Sequence, residues 1–411
     1  LMINKNFIDL FAGCGGLSLG LMQAGWDGVF AVEKSPDAFQ TLKSNLCYPG
    51  NPYRFKWPDW LPCESASTNS ILKKYRDELV SLQGEIDLIA GGPPCQGFSI
   101  AGLRNPNDPR NKLTHEYIRL VKLVQPKYLL LENVRGFQSK FAGESEPFSA
   151  LVTRKLENLK PLGYWIHSAM VNASDFGVPQ PRARFIMIAV RKDMKDFEFD
   201  PISSIVKKAS EFRESKGLNG HQISAREAIG DLEIMGTKLV QSSDTKGFMQ
   251  IKYKPRKRLS AYQELMRAGL EADFSPNSLR LPNHRTQTIE KFELILDECP
   301  RGKTVPKDFR DLHGMRKQCV VALHPKKMAH TVTTLPDDMI HYNEPRILTV
   351  RENARLQSFP DWYEFHGEYT TGGKRRRVTV PRYTQVGNAV PPLMAEAIGH
   401  GLMKFAGAHE K

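Results

Sequence analysis

Short apolar runs alternate with stretches of helical period through the first half of the chain. Phe7-Ile8-Asp9-Leu10-Phe11 is a strand-length run that ends in glycines, and Leu17 to Ala24 follows as a helix that Gly25 can close as a C-cap. Val29 to Val32 is a second strand, after which Ser35-Pro36 supply an N-cap and a first-turn proline for a helix through about Asn45. The alternation continues with a strand over Asp87 to Ala90, a helix around Tyr117 to Val124 and a strand over Tyr128 to Leu131. Beyond a helix near Ala150 to Leu159, the runs Tyr164 to Val171 and Arg184 to Val190 predict an antiparallel pair at a sheet edge. Strands that alternate with helices predict an α/β fold, a mostly parallel sheet covered on both faces.

The rhythm stops near Asp193. Residues 200 to 330 show no strand-helix alternation and carry basic runs such as Lys252-Tyr253-Lys254-Pro255-Arg256-Lys257-Arg258, which predicts a second, smaller and irregular domain. Pro391-Pro392 then opens an apolar helix through about Phe405, long and amphipathic enough to return to the first domain. The expected division is 1–193 with 384–411 as one discontinuous domain, 194–335 as the second, and 336–383 as a hinge segment.

Composition narrows the function classes. The 411 residues are 40% hydrophobic, enough for two domains with real cores, and no run of eighteen apolar residues exists to cross a membrane. The run Phe7 to Leu21 carries Asp9 and four glycines and lacks a signal-peptide layout. Six cysteines (Cys14, Cys47, Cys63, Cys95, Cys299 and Cys319) form no CxxC pair, which fits a reducing compartment and no structural metal. Leu1-Met2 reads as one foreign residue before a natural start, with no long extension ahead of the first motif. Against 45 acidic residues stand 58 Lys and Arg, a formal charge of +13, which raises a polyanionic partner without deciding for one.

Candidate chemistry sits where strands end. Asp9-Leu10-Phe11-Ala12-Gly13-Cys14-Gly15-Gly16 turns a strand into a helix, and glycines there let the backbone approach a ligand with its amides pointing at it. Glu33, 24 residues after Asp9, is placed to take ribose hydroxyls, although a tight turn with a surface glutamate would read the same. The spacing is GxGG rather than GxGxxG, which favours an adenosine-bearing cofactor other than a nicotinamide or flavin. In Gly91-Gly92-Pro93-Pro94-Cys95-Gln96-Gly97-Phe98-Ser99, two prolines stiffen the approach to a cysteine at a strand's carboxyl end. Held there as a thiolate, Cys95 is a candidate nucleophile; a buried cysteine in a turn is the bland alternative. Glu132, in Leu131-Glu132-Asn133-Val134, stands 37 residues further on and is either a proton donor in the same cleft or a solvated strand-end cap. Gln180-Pro181-Arg182-Ala183-Arg184 puts two cations at alternate positions entering a strand, so that both leave from one face. Together these motifs suggest a polar site for a planar, hydrogen-bonding substrate.

In this order the motifs resemble the DNA cytosine-5 methyltransferase family, over the first 190 residues and roughly the last 80. DLFAGCGG resembles its S-adenosylmethionine loop, GGPPCQGFS its catalytic-cysteine loop, ENV its glutamate motif and QPRAR its arginine motif. RILTVRENARLQSFPDWY (Arg346 to Tyr363) is similar to the late helix, and QVGNAVPPLMAEAIG (Gln385 to Gly399) to the terminal motif. The resemblance implies a Rossmann-like S-adenosylmethionine-dependent fold with an antiparallel edge hairpin and a target-recognition domain at 194–335. It places Asp9, Phe11, Gly13, Gly15, Gly16, Glu33 and Asn388 around the cofactor, with S-adenosylhomocysteine as product. Cys95 would attack carbon-6 of a flipped-out cytosine while Glu132 hydrogen-bonds ring nitrogen 3, so that carbon-5 can accept the methyl group. Arg182 and Arg184 would anchor the cysteine loop and the base, with Pro94, Gln96, Ser99 and Asn133 holding the loop and substrate.

Two departures stand out. Lys34 occupies the position where the family often stacks an aromatic ring on adenine. Residues 49 to 85, where a third strand and an acid for the adenine amine are expected, are long and rich in Pro, Ser and Trp; Asp59 is the candidate there. Lys252, Lys254, Arg256, Lys257, Arg258, Arg285 and Lys326 are candidate DNA contacts, and Lys374-Arg375-Arg376-Arg377 is a phosphate clamp or a solvated loop. The resemblance implies double-stranded DNA as partner, a monomer in the bacterial cytoplasm near the nucleoid, no membrane, and a separately acting cognate restriction endonuclease. A transfer-RNA methyltransferase and a catalytically silent DNA-binding homologue are the alternatives.

Overall fold

The apolar run at the start becomes β1 (Asn6–Leu10), with Phe7, Ile8 and Leu10 fully buried, one strand in from the edge of a six-stranded sheet. The computed structural model describes residues 5–94, 111–140, 146–194, 200–218, 220–254, 256–371 and 379–409. It divides into two units: Leu1–Phe176 with Ala183–Ser210 and Pro392–Lys411, and Gly177–Arg182 with Glu211–Pro391.

In the first unit, β2 (Asp27–Val32), β1, β3 (Leu88–Gly91) and β4 (Tyr128–Val134) are parallel, while β6 (Ala183–Arg191) runs antiparallel to both β4 and the edge strand β5 (Tyr164–Asn172). The order β2-β1-β3-β4-β6-β5 makes the chain leave β1 toward one side and β3 toward the other. A crevice therefore opens past the carboxyl ends of β1 and β3, the usual ligand position of open α/β sheets. Between the strands lie α1 (Gly16–Gln23), α2 (Pro36–Leu46), α3 (Thr68–Lys74), α4 (Arg76–Ser81), α5 (Asn111–Val124) and α6 (Phe148–Glu157). The end signals act as read: Ser35 caps α2 by accepting from the Ala38 amide, and Gly25, at φ +94°, ends α1 by donating to the Met22 carbonyl.

The stretch expected to hold a third strand does not form one. Residues 48 to 67 run as a strap instead, tied to the sheet by single bonds from the amides of Lys56 to the Gly28 carbonyl (2.7 Å) and Ala66 to the Glu33 carbonyl (2.8 Å). Pro52, Pro58 and Pro62 remove the donors that a ladder needs. Edge-on aromatic packing of Trp57 on Phe30, Phe39 and Phe55, and of Trp60 on Phe30, holds the strap down.

After α7 (Pro201–Lys207) the chain enters the second unit within α8 (Ala209–Ser215), and that unit is built from short pieces. These are α9 (Ala225–Ile229), the hairpin β7 (Leu239–Gln241) and β8 (Met249–Ile251), α10 (Ala261–Met266), α11 (Thr286–Glu298), α12 (Lys307–Leu312), the pair β9 (Val321–Ala322) and β10 (Met339–Ile340), α13 (Val350–Leu356) and α14 (Arg382–Asn388). Apolar clusters among its described residues gather around Phe292, Ile295 and Val320, around Leu232, Ile251 and Leu279, and around the rings of Phe359, Tyr363 and Phe365. The segment expected as a hinge, 336–383, is integral to this unit. Arg355 and Asp361 are sealed from solvent and joined, Arg355 also binds Asp231, and Arg346 grips Glu352, which closes a capping box with Thr349 at the start of α13. Such buried charges are tolerated only when each meets a partner, so these contacts tie the start and end of α13 to the rest of the unit.

The last helix, α15 (Pro392–His409), returns to the first unit and packs along α1. Gly20 and Gly399 permit the close approach: a methyl at Gly20 would collide with Ala395 and the Pro392 carbonyl, and one at Gly399 with Ala24. The Trp26 indole donates to the Gly399 carbonyl at 2.9 Å. Among the described residues no helix is long and apolar enough to cross a membrane.

Candidate active site

Register places the motifs side by side. Leu10 pairs with Gly91 and Gly91 with Leu131, so the glycine loop, the Gly92-Pro93-Pro94 turn and Glu132 leave the sheet at the same end. With neighbouring strands about 4.8 Å apart, the loop after β1 and the tip of β4 are separated by roughly 10 Å.

The glycine loop is an abrupt turn. Phe11, Gly13 and Gly15 have φ of 59°, 57° and 89°, and the Gly15 amide donates to the Ala12 carbonyl at 2.9 Å. A side chain at Gly13 would meet nothing within 4 Å, so the space beside the loop is open. Phe11, which carries a Cβ, holds its left-handed backbone at a cost of about 1–2 kcal/mol. Gly16 begins α1, whose first-turn amides have no acceptor within the helix.

Glu33, at the end of β2, clasps this loop. Its carboxylate accepts from the Gly13 amide at 2.9 Å and from the Ser35 amide at 2.7 Å, fixing the loop and the start of α2 together. Burial raises its pKa, and the backbone bonds pull it back. Asp9 lies beneath, fully sealed; the Ser18 hydroxyl of α1 donates to Oδ2, and Oδ1 has no hydrogen-bond partner. Burial above all, then the Glu33 charge, pushes its pKa up to about 7 against the pull of Ser18. The contact that the structure gives Asp9 is thus to the helix below the loop. Lys34 is exposed, as is Asp59, which sits on a turn of the strap between the two inward-packed tryptophans.

On the neighbouring strand, Glu132 Oε1 lies 3.0 Å from Arg184 Nε, with both side chains only 12–13% exposed. Glu132 pairs in register with Ile186 and Val134 with Arg184, so the two charged residues are diagonal neighbours on one face of the sheet. Oε2 lies on the Gly92 side, where a side chain in place of that glycine would come within 3.1 Å of it. Asn133 turns to the loop: its amide donates to the Pro93 carbonyl at 3.2 Å and accepts from the Val134 amide at 2.8 Å. Pro94 is described and exposed; Cys95, Gln96 and Ser99 lie outside the described residues, as do Lys374 to Arg377.

Arg182 and Arg184 part company, contrary to the expectation of a shared face. β6 begins at Ala183, and the Gln180 and Arg182 amides form a turn before it, so strand alternation does not apply to Arg182. Its buried guanidinium donates within the second unit to the carbonyls of Val332 (2.8 Å), Gly387 (2.7 Å) and Ala389 (3.2 Å), bracketing the exposed Asn388. Gln180, which the sequence reading left without a role, does similar work: it donates to the Leu356 carbonyl at 2.6 Å and accepts from the Val332 amide. Its position beside two prolines and a strand start gave no signal of these distant partners.

The site therefore has two halves: amides and a carboxylate suited to a ribose-bearing ligand, and a carboxylate-guanidinium pair at the next strand tip suited to a planar polar ring. Among the described residues no three potential ligands gather as a metal site.

Known proteins share this layout. The chain is 32% identical over 407 residues to the Type II methyltransferase M.DdeI of Desulfomicrobium norvegicum, covering 96% of this chain and 87% of that protein. To the Type II methyltransferase M1.HphI of Haemophilus parahaemolyticus it is 31% identical over 411 residues, covering 98% and 88%. A solved putative DNA modification methyltransferase encoded within an E. coli prophage superposes with a TM-score of 0.66 at 26% identity, over 98% of this chain and 100% of that one. Since the family model for C-5 cytosine-specific DNA methylases matches residues 5–404, nearly the whole chain, this protein belongs to that family and is a DNA cytosine-5 methyltransferase.

Proposed function

We propose that the enzyme takes its methyl group from S-adenosylmethionine and places it on carbon-5 of a cytosine flipped out of double-stranded DNA, through a covalent adduct with Cys95. The observation that carries this reading is the Glu132–Arg184 pair, 3.0 Å apart at the tip of β4, beside a turn that Asn133 grips at the Pro93 carbonyl two residues before Cys95. S-adenosylmethionine, when bound, supplies an electrophilic methyl group. The residues present fit it: the open space at Gly13 and a Glu33 carboxylate held in place by two backbone amides suit a nucleoside with ribose hydroxyls. Phe11 completes the proposed set, and Asp9 positions the loop from below.

Carbon-5 of cytosine is a poor nucleophile. Attack of the Cys95 thiolate on carbon-6, with a hydrogen bond from Glu132 to ring nitrogen 3, gives carbon-5 enamine character and lets it take the methyl group. Arg184 holds Glu132 Oε1, which directs the other oxygen toward the Gly92 side. Loss of the carbon-5 proton and departure of Cys95 then complete the exchange. Neither atom reaches a base stacked in a duplex, so the base must leave the helix at a cost of a few kcal/mol. Phosphate contacts drawn from the surplus of basic residues offset part of it. The second unit supplies target recognition, and a cognate restriction endonuclease acting separately is the expected companion.

Labelled S-adenosylmethionine incubated with genomic DNA or transfer RNA tests the reading: label in DNA supports it, label only in RNA overturns it, and label in neither points to a silent homologue. DNA carrying 5-fluorocytosine at the target should trap an adduct that is absent with Cys95→Ala. An active enzyme that forms no adduct contradicts the covalent route.

A further inference from the structure

In the second unit, two distant segments close around Arg280. Its guanidinium carbon lies 4.1 Å from the centre of the Phe248 ring and 3.7 Å from that of Tyr369, and its backbone bridges to Gln250 of β8. Stacking on two rings fixes the plane of the group. The carboxylate of this cluster, Asp244, is already taken by Arg382 at 2.5 Å, by the Tyr369 hydroxyl at 3.0 Å and by the Ser242 hydroxyl at 2.9 Å. Among the described residues Arg280 makes no ion pair and no side-chain hydrogen bond. Its Nε is sealed from solvent without a partner, which leaves the Nη1–Nη2 edge for an incoming acceptor.

Four other arginines of the unit meet carboxylates. Arg267 pairs with Asp361, Arg346 with Glu352, Arg355 with Asp231 and Arg382 with Asp244. The two rings and the nearby Asp244 charge offset part of the cost of half-burying this guanidinium, but no carboxylate bonds to it directly. Burial and the neighbouring Arg382 draw its pKa down, but a guanidinium stays charged at neutral pH.

We propose that Arg280 is a specificity-determining residue that reads a guanine in the DNA recognition sequence, donating its in-plane N–H pair to guanine O6 and N7. This rests on the DNA-methyltransferase reading, with the second unit as the reader. A guanidinium stacked on two rings offers a ligand its edge, so that ligand must present two acceptors in one plane, which the major-groove edge of guanine does. Little side-chain freedom is lost on binding, because the rings already hold the plane. Phosphates need no fixed plane and are served by flexible cations such as Lys252 and Lys254. Composition could not single out Arg280, which lies outside every basic run of the sequence.

The test methylates a randomised DNA library with the full-length enzyme and reads the product by bisulfite sequencing. The wild type should give one consensus containing guanine. No methylated consensus at all would overturn the DNA reading and this inference with it. Arg280→Ala should methylate a consensus relaxed at a single guanine, with preference there falling about tenfold or more, and Arg280→Lys should fall between. An unchanged consensus with a uniform loss of rate would mean a phosphate or purely structural contact, and would overturn the proposal. The wild type on DNA carrying 7-deazaguanine at each guanine in turn needs no variant to fold: one position should slow methylation, and equal rates at all positions would again overturn it.

Discussion

Asp9 offers the sharpest check on the buried electrostatics of the glycine loop. It is fully sealed, its Oδ1 is without a partner, and Glu33 stands close enough to add like charge, so the ionised form is disfavoured and the pKa rises from 3.8 to about 7. Between those two values the folded protein holds a proton that the unfolded chain has released. Stability from this group is therefore complete below pH 3.8, declines as pH rises, and is lost above about 7. A shift of about three units at about 1.4 kcal/mol each sets a ceiling of roughly 4 kcal/mol. Asp9→Asn keeps an acceptor for the Ser18 hydroxyl and cannot ionise. Its urea midpoint, compared with wild type from pH 5 to pH 8.5, should gain on wild type as pH rises and level off above 7. Curves that stay parallel across the range would show that Asp9 ionises without penalty and would sink the argument.

Three further outcomes follow from the same geometry. Glu33→Gln turns an amide N–H toward a backbone N–H and loses one charge-assisted bond, about 1.5–3 kcal/mol; binding of S-adenosylhomocysteine measured by calorimetry should weaken roughly 10- to 150-fold, and a change under threefold would refute the clasp. Arg184→Leu leaves the nearly buried Glu132 without its cation, so methyl transfer should drop about 100-fold or more through misplacement of that carboxylate, with partial recovery in Arg184→Lys; near-normal turnover in the leucine variant would remove the pair from the mechanism. Gly20→Ala sets a helix-propensity gain of about 1 kcal/mol against an overpacking cost of about 1–3 kcal/mol at Ala395 and the Pro392 carbonyl, so the melting temperature should fall. A rise would mean that α15 yields easily.

The strand-helix alternation, the capping of α2 by Ser35, the close of α1 at Gly25 and the residues at strand tips were legible in the sequence, because each depends on periodicity or on backbone chemistry within a few positions. Glu33 and Glu132 fell where a strand-end reading put them, and the order of motifs carried the family. What the tertiary structure decided is non-local. The prolines of the strap left a third strand to be replaced by aromatic packing, and the strand order joins β1 to β3 and β4 to β6, strands far apart in the chain. Arg182 and Arg184 look equivalent two residues apart, yet the first is used up by carbonyls 150 to 207 positions away and the second by a glutamate on the adjacent strand. Arg280 has no local mark at all: the rings that hold it come from Phe248 and Tyr369, and the carboxylate that ignores it is engaged by Arg382. A local pattern records whether a side chain is buried and how the backbone must turn. Which partner a buried charge finds depends on contacts that close only when distant segments pack, and those contacts separate a structural arginine from one left ready for DNA.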